Sequence, residues 1–483
     1  MGANMKRLGL ILLTTVGLAS VANAQSLPSV KGEADQPKSC FRDFYTYMTS
    51  TIKDCPLSYA GVTLFGNIDG GYGYESHATP MGYSADKVNY AIQRNSGRGA
   101  WQWSPNASST STLGVTIEEK IVDKWLFIGV AETGFNPYSL NLINGPQSLA
   151  YNNFNKSANQ RTQFDSSRAG QWDNGQGFFG ISNADYGTLT FGRTNTLAQS
   201  AIGKYDPVAS VAFSQLGFSA AYAGFGAGTT VRSNTAFTYR IVYQGVRFGA
   251  QAQVGGYELG NASTGQYQFL IGTDFGNLSL DAIGGWANNA VSLASYAGGA
   301  LPAGYDPYSI LRATVHNNAG FALMVEYKWD QFKFYAGYVF AQTSNPSNTN
   351  YPGGLPTVIS SELFVPPGAV TSNAYNLPRD QNTVWTGLKY AAMKNLELSA
   401  GVYWQSQNDY LQGPAVCTGS GINTSSGKCS GGRYSYSFMV DWKPVPRIDV
   451  YAGVMVSNVY GGVASGFQYS QNIDPTVGVR FRF

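Results

Sequence analysis

The segment Asn472–Phe483 reads "NIDPTVGVRFRF". Ile473, Val477, Val479, Phe481 and Phe483 share one parity, while Gly478, Arg480 and Arg482 take the other. Side chains alternate across a strand, so this is a strand with an oily face and a charged face. Two environments accommodate it: a water-covered sheet packed on a core, or a sheet with lipid on one side and water on the other.

The same alternation recurs along the chain. In "VRFGAQAQV", Val246, Phe248, Ala250, Ala252 and Val254 oppose Arg247, Gly249, Gln251 and Gln253. "YSYSFMVDW" sets Tyr434, Tyr436, Phe438, Val440 and Trp442 against Ser435, Ser437, Met439 and Asp441. "RIDVYAGVMV" repeats the pattern from Ile448 to Val456. Strands are expected near 62–74, 110–119, 125–134, 175–183, 188–193, 234–243, 246–255 and 267–274, and again near 278–288, 319–328, 332–342, 383–391, 396–408, 434–443, 447–459 and 474–483. These sixteen strands leave seven short turns, such as Phe275–Asn277 and Trp329–Gln331, alternating with eight long connections rich in Gly, Ser, Asn and Pro.

An even strand number with short turns at one end and long loops at the other predicts an all-β, 16-stranded antiparallel transmembrane β-barrel. Lipid cannot hydrogen-bond a free sheet edge, so the sheet must close. A soluble sandwich predicts turn signals every 8–12 residues and no such alternation of loops. Tyr434, Trp442, Trp286 and Trp404 at strand ends fit aromatic girdles at headgroup depth. One strand departs: "WLFIGVAETG" (Trp125–Gly134) is apolar on both parities. Either one face packs on another subunit or an inserted loop, or its register differs.

Composition agrees. Charged residues make up 12% of the 483, about half the usual share, and polarity comes from 58 Gly, 32 Tyr and many amides and hydroxyls. After the leader no apolar run is long enough for a membrane helix. Met5-Lys6-Arg7, the apolar Leu8–Leu18 and the "ANA" of Ala22–Ala24 read as a secretory signal over 1–24, with Gln25 the mature start. Without it, 29 basic residues face 28 acidic ones, no footprint for nucleic acid. A periplasmic segment, 25–61, then precedes a barrel over 62–483. The four cysteines form two close pairs, Cys40/Cys55 and Cys417/Cys429, read as disulfides of an oxidising compartment. Zinc competes, but no CxxC is present, and His77 and His316 lie far off. Neither His stands in a nucleophile motif, and no metal, cofactor or enzyme activity is expected.

"GQGFFGISNADYGTLTFGRTNTL" (Gly175–Leu197) resembles a two-strand unit of the general bacterial porins, whose second strand ends in "GR" before the third loop. "RSNTAFTYR" (Arg232–Arg240) resembles the following strand, and Phe483 matches the family's C-terminal signature. "CPLSYAGVTLFGNIDGGYGYESH" (Cys55–His77) is similar to the first strand of rhizobial-type alphaproteobacterial porins. The resemblance implies a homotrimer in the outer membrane of a Gram-negative bacterium, among lipids and lipopolysaccharide. Each barrel would pass small hydrophilic solutes and ions by diffusion, with short periplasmic turns, long external loops and an inward-folded third loop, here about 194–231. It places Arg193, Arg232 and Arg240 at the constriction, with Lys204 and Asp206 as the charges of the loop core "KYDPVASVAFSQLGFSAAYAGFGAG". Parity independently turns Arg240 to the lumen, opposite Phe237, Tyr239 and Ile241. The family's "PEFGG"-like acidic loop motif is absent, so the lumen balance inclines to anions. A sugar- or anion-selective channel and a structural or adhesin-like barrel are the alternatives.

Overall fold

The structure is a computed structural model. It describes residues 42–78, 98–138, 175–210, 212–218, 232–254, 265–295, 311–345, 358–360, 363–364, 370–372, 375–411, 428–464 and 469–483, with isolated loop positions between them. The predicted leader, Cys40 and most of the long loops lie outside these residues.

Sixteen antiparallel strands close into one barrel. The first eight are β1 (Val62–Ala78), β2 (Arg98–Pro105 and Ser111–Val122), β3 (Trp125–Phe135), β4 (Gly177–Asn183), β5 (Gly187–Asn195), β6 (Arg232–Tyr243), β7 (Val246–Val254) and β8 (Gly265–Phe275). The rest are β9 (Leu278–Ser295), β10 (Leu311–Trp329), β11 (Phe332–Ser344), β12 (Arg379–Met393), β13 (Leu396–Gln407), β14 (Gly431–Val445), β15 (Ile448–Gly461) and β16 (Gln471–Ile473 and Thr476–Arg482). Each strand pairs with its neighbours in sequence, and β16 returns to β1 with Asp69 opposite Arg480 and Gly71 opposite Gly478. The Phe483 and Gly66 backbones exchange two hydrogen bonds of 3.0 Å at this seam.

The alternating residues divide as the two-solvent reading requires. Phe269 and Ile271 on β8, Leu323 on β10, and Val477 and Val479 on β16 stand exposed on the outer face. Their neighbours Gln268, Met324, Thr476 and Arg480 are enclosed within the barrel. Transferring such an outer wall from lipid to water would cost about 25 cal/mol per Å² of apolar area, so the surface is stable only where hydrocarbon covers it. Aromatic pairs mark both ends of that wall: Phe332 stacks on Tyr390 at 4.7 Å near the short turns, and Trp404 Nε1 donates to Tyr460 Oη at 3.0 Å near the long loops. Turn chemistry agrees. Gln244 and Gly245 both have positive φ, the two-residue hairpin turn that matches strand twist.

Three features differ from the sequence expectations. Several strands run further toward the long-loop end than their alternation: β9 reaches Ser295 and β10 starts at Leu311. Beyond the lipid both faces are wet, so no oily row is needed to extend the pairing. Second, β2 is interrupted at 106–110. This excursion folds over Asp69, whose carboxylate accepts from Ser108 N (3.3 Å), Ser109 N (3.0 Å) and Tyr451 Oη (2.6 Å). Third, a short helix α1 (Phe44–Thr49), capped by Asp43, precedes β1. On β3, Leu126, Ile128 and Val130 share the inward face, with Ile128 buried.

Candidate pore constriction

After β5, the Thr196 hydroxyl accepts from Gln199 N at 3.0 Å and starts a six-residue helix α2 (Leu197–Ile202). Leu197, Ala198, Ala201 and Ile202 are buried, spaced to fall together at 3.6 residues per turn. The segment after this cap follows the inner wall strand by strand. Arg240 Nη2 of β6 donates to Ser200 Oγ at 3.1 Å, and Ala198 N donates to Gln268 Oε1 of β8 at 3.1 Å. Trp385 Nε1 of β12 donates to Tyr205 O at 2.9 Å, and Tyr403 Oη of β13 donates to Asp206 Oδ1 at 2.6 Å. Gln215 Nε2 reaches Arg433 O of β14 at 3.5 Å, and Ala212 N donates to Ala107 O in the β2 excursion at 2.8 Å.

Apolar contacts seat the same path. Tyr205, Val208, Phe213 and Leu216 pack with inward-facing Met324, Val339, Trp385, Met439 and Tyr451. Two wall glycines make the room. A Cβ at Gly387 would meet the Pro207 ring at 2.6 Å, and one at Gly453 would meet Phe213 at 2.8 Å. Facing the opposite side of α2 is a cavity of about 240 Å³, whose lining includes Glu118, Val130, Thr190, Thr238, Arg240 and Ser200.

The residues singled out in the sequence are placed differently from one another. Arg240 does face inward, beside Thr188 in the β5–β6 register, and is bonded to α2. Lys204 lies 3.9 Å from Asp281 of β9 and 3.2 Å from Tyr205 Oη. Burial lowers its pKa, and the Asp281 charge acts in the opposite direction. Asp206, expected as a charge of the constriction, is instead sealed between the segment and the wall at 1% exposure. It accepts from Ser214 Oγ (2.5 Å) and Tyr403 Oη, and burial raises its pKa against those bonds. Arg193 stands on the row of outward-facing Leu189 and Phe191, beside a bulge, and its Nε donates to Gly175 O at 2.9 Å. Arg232 opens β6 opposite Asn195, at the foot of the segment.

Most charges of the inner wall are paired, chiefly across neighbouring strands. Arg247 of β7 holds Asp281 at 2.8 Å and also Asp274. Arg480 and Arg482 both hold Asp449 at 2.8 Å, with Arg480 only 2% exposed. Lys389 and Glu397 (3.4 Å) and Lys443 and Asp441 (3.6 Å) continue the series. A belt of alternating charge therefore rings much of the short-turn half of the lumen. Except for Lys443 and Asp441, two residues apart on β14, each partner comes from another strand, so the residue order holds little signal for it.

The cysteines stand apart from this region. Cys417 and Cys429 form a disulfide with Cα atoms 5.1 Å apart. Cys55 is buried and disulfide-bonded, and its expected partner Cys40 lies outside the described residues. His77 lies inside β1, its ring 3.8 Å from that of Tyr469, and His316 falls in β10.

A family model described as Gram-negative porin matches residues 9–462. No curated protein matches the sequence. Among solved structures, in-vitro folded OmpT, an outer membrane protein of Vibrio cholerae, shares 14% identity at a TM-score of 0.52, over 89% of this chain and 99% of that one. The outer-membrane expressed form shares 13% at 0.53, over 89% and 100%. A trimer form of the same protein shares 13% at 0.51, over 87% and 99%. These likenesses concern the fold. The family match, spanning nearly the whole chain, joins the closed sixteen-stranded wall and its polar interior in one conclusion: the chain belongs to the Gram-negative porin family and is an outer-membrane channel for passive diffusion.

Proposed function

We propose that residues 196–218 narrow this channel and that small hydrophilic solutes pass between the free face of α2 and the β2–β6 wall. The observation that carries the reading is the chain of bonds from this segment to inward-facing side chains of β6, β8, β12 and β13. A segment tied to the inner wall at so many points narrows the passage without closing it. Glu118 and Arg240 line the space, and Lys204 with the Arg247–Asp281 pair lies further along the wall at β7–β9. Charges there act through low-dielectric walls, where focusing makes them felt by a passing ion.

The assembly is a homotrimer on this reading, supported by the trimeric form of the Vibrio cholerae relative in fold. Residues 1–24 are a removed leader, and 25–61 stay on the periplasmic side. Planar-bilayer recording tests the function: an ohmic conductance that rises with salt without saturating is expected. Absence of current from correctly folded protein would refute the pore. Gel mobility before and after boiling tests the trimer.

A further inference from the structure

Two arginines near the long-loop end of the lumen are held by amides rather than carboxylates. Arg379, at the start of β12, donates from Nε and Nη2 to Gln407 Oε1 at 3.1 and 2.8 Å. Arg433, early in β14, donates from Nε to Gln405 Oε1. Both glutamines are on β13, two residues apart on its inward face, a spacing of about 7 Å along the strand. Among the described residues neither guanidinium has an ion pair. Two like charges this close, in a partly enclosed wall, favour a neutralising anion.

The glutamines are themselves fixed. Gln407 Nε2 donates to Cys429 O at 2.6 Å, which leaves its Oε1 aimed at Arg379. The Cys417–Cys429 disulfide holds that carbonyl, and the Tyr410 ring lies 5.3 Å from Arg379 Cζ. Positioning by neighbouring groups that are locked in turn is how a binding site is kept in register.

A second observation lies on the same strands. Among the described residues Thr383 Oγ1, Gln405 Nε2, Ser435 Oγ and Gln215 Oε1 find no hydrogen-bond partner, on residues no more than 3% exposed. Thr383 is opposite Gln405 in register, and Gln405 is opposite Arg433. Gln215 reaches the same strand at Arg433 O. Buried polar atoms are normally paired, so the wall behind the two arginines is one where the protein itself leaves polar groups unsatisfied.

We propose that Arg379 and Arg433 form a binding station for small carboxylates at the external entrance of the channel. The guanidiniums receive the carboxylate, for which their planar forks are suited. The Gln405 and Gln407 amides that hold the two guanidiniums fix their positions for it. The station rests on the channel reading, since solute must enter the lumen to reach it. It makes diffusion through this porin selective for sugar acids over neutral sugars.

The test is current block by glucuronate, with glucose as the neutral control, on the full-length mature protein in planar bilayers at 0.1 M salt (an ionic strength at which charges more than about 10 Å apart are screened). Glucuronate should interrupt the current at a concentration at least about tenfold below that of glucose, equivalent to about 1.4 kcal/mol. The double substitution Arg379→Gln with Arg433→Gln should raise the half-blocking concentration of glucuronate by at least about tenfold. Arg433→Lys, which keeps the charge and loses the fork, should fall between. An open channel that glucuronate does not block, or that glucose blocks equally, overturns the station, as does block unchanged in the double variant. Absence of any current from the unaltered protein refutes the channel reading and the station with it.

Discussion

The guanidinium of Arg447 lies 3.8 Å from the ring of Tyr47, joining the turn between β14 and β15 to a residue ahead of β1. Arg447 is fully enclosed and also donates to Tyr47 O (2.8 Å), Thr51 O (3.4 Å) and Cys55 O (2.6 Å). Its own carbonyl accepts from Arg482 N at 2.9 Å. The N-terminal segment thus clasps the seam where β16 meets β1.

Arg447→Ala should release this segment. Loss of several charge-assisted bonds and a cation–π contact amounts to about 3 kcal/mol or more. The expected outcome is cleavage by added protease between residues 42 and 60 at a rate well above that of the unaltered barrel. Equal protection of both proteins would show that the disulfide alone holds the segment.

Gly387→Val should unseat the segment after β5. Its side chain would press on Pro207 and on the Ala400 carbonyl of β13, and overpacking of this kind costs about 1–3 kcal/mol. Single-channel conductance should rise while the barrel still resists detergent until heated. Unchanged conductance would remove Pro207 from the narrowing.

The seat should tighten in acid. Burial raises the Asp206 pKa above its usual 3.8, so the neutral carboxyl is the form the folded seat prefers. A group with a raised folded pKa contributes stability that is full below its unfolded pKa and is lost as pH climbs through the folded one. Conductance should therefore be lowest and quietest in acid and noisier above the raised pKa. Asp206→Asn, which keeps a polar group there without the charge, should flatten that profile. A pH profile identical in both proteins would assign the effect elsewhere.

Asp281→Asn should shift selectivity toward anions. It removes the carboxylate shared by Lys204 and Arg247, leaving their charges less compensated. The chloride-to-potassium permeability ratio should rise about twofold or more, read from reversal potentials in a salt gradient. An unaltered reversal potential would place the pair off the ion path.

The wall was legible because lipid and water impose a strict period of two. Val246–Val254 and Tyr434–Trp442 each announce their faces within nine residues. The strand extensions to Ser295 and from Leu311 were not legible, since outside the membrane both faces are polar and the period vanishes. The segment after β5 is marked in the sequence by the preceding "GR", but the surroundings of its charges have no local mark. Lys204 and Asp206 are two residues apart, yet one reaches Asp281 near the lumen and the other is sealed against Tyr403. Arg379 and Arg433 are not legible in the sequence, because an arginine on a wet face has no local mark of its partner.

The amino-acid order by itself determined the number of strands, the face each side chain takes and the ends that carry short turns, because these depend on neighbours one or two residues away. Which charges meet was decided only by closure of the barrel. Arg480 finds Asp449, Lys204 finds Asp281 and Arg447 finds Tyr47 across gaps of tens to hundreds of residues. Closure also decides which polar groups remain for a passing solute, since a charge is available for transport only where no other strand has already neutralised it.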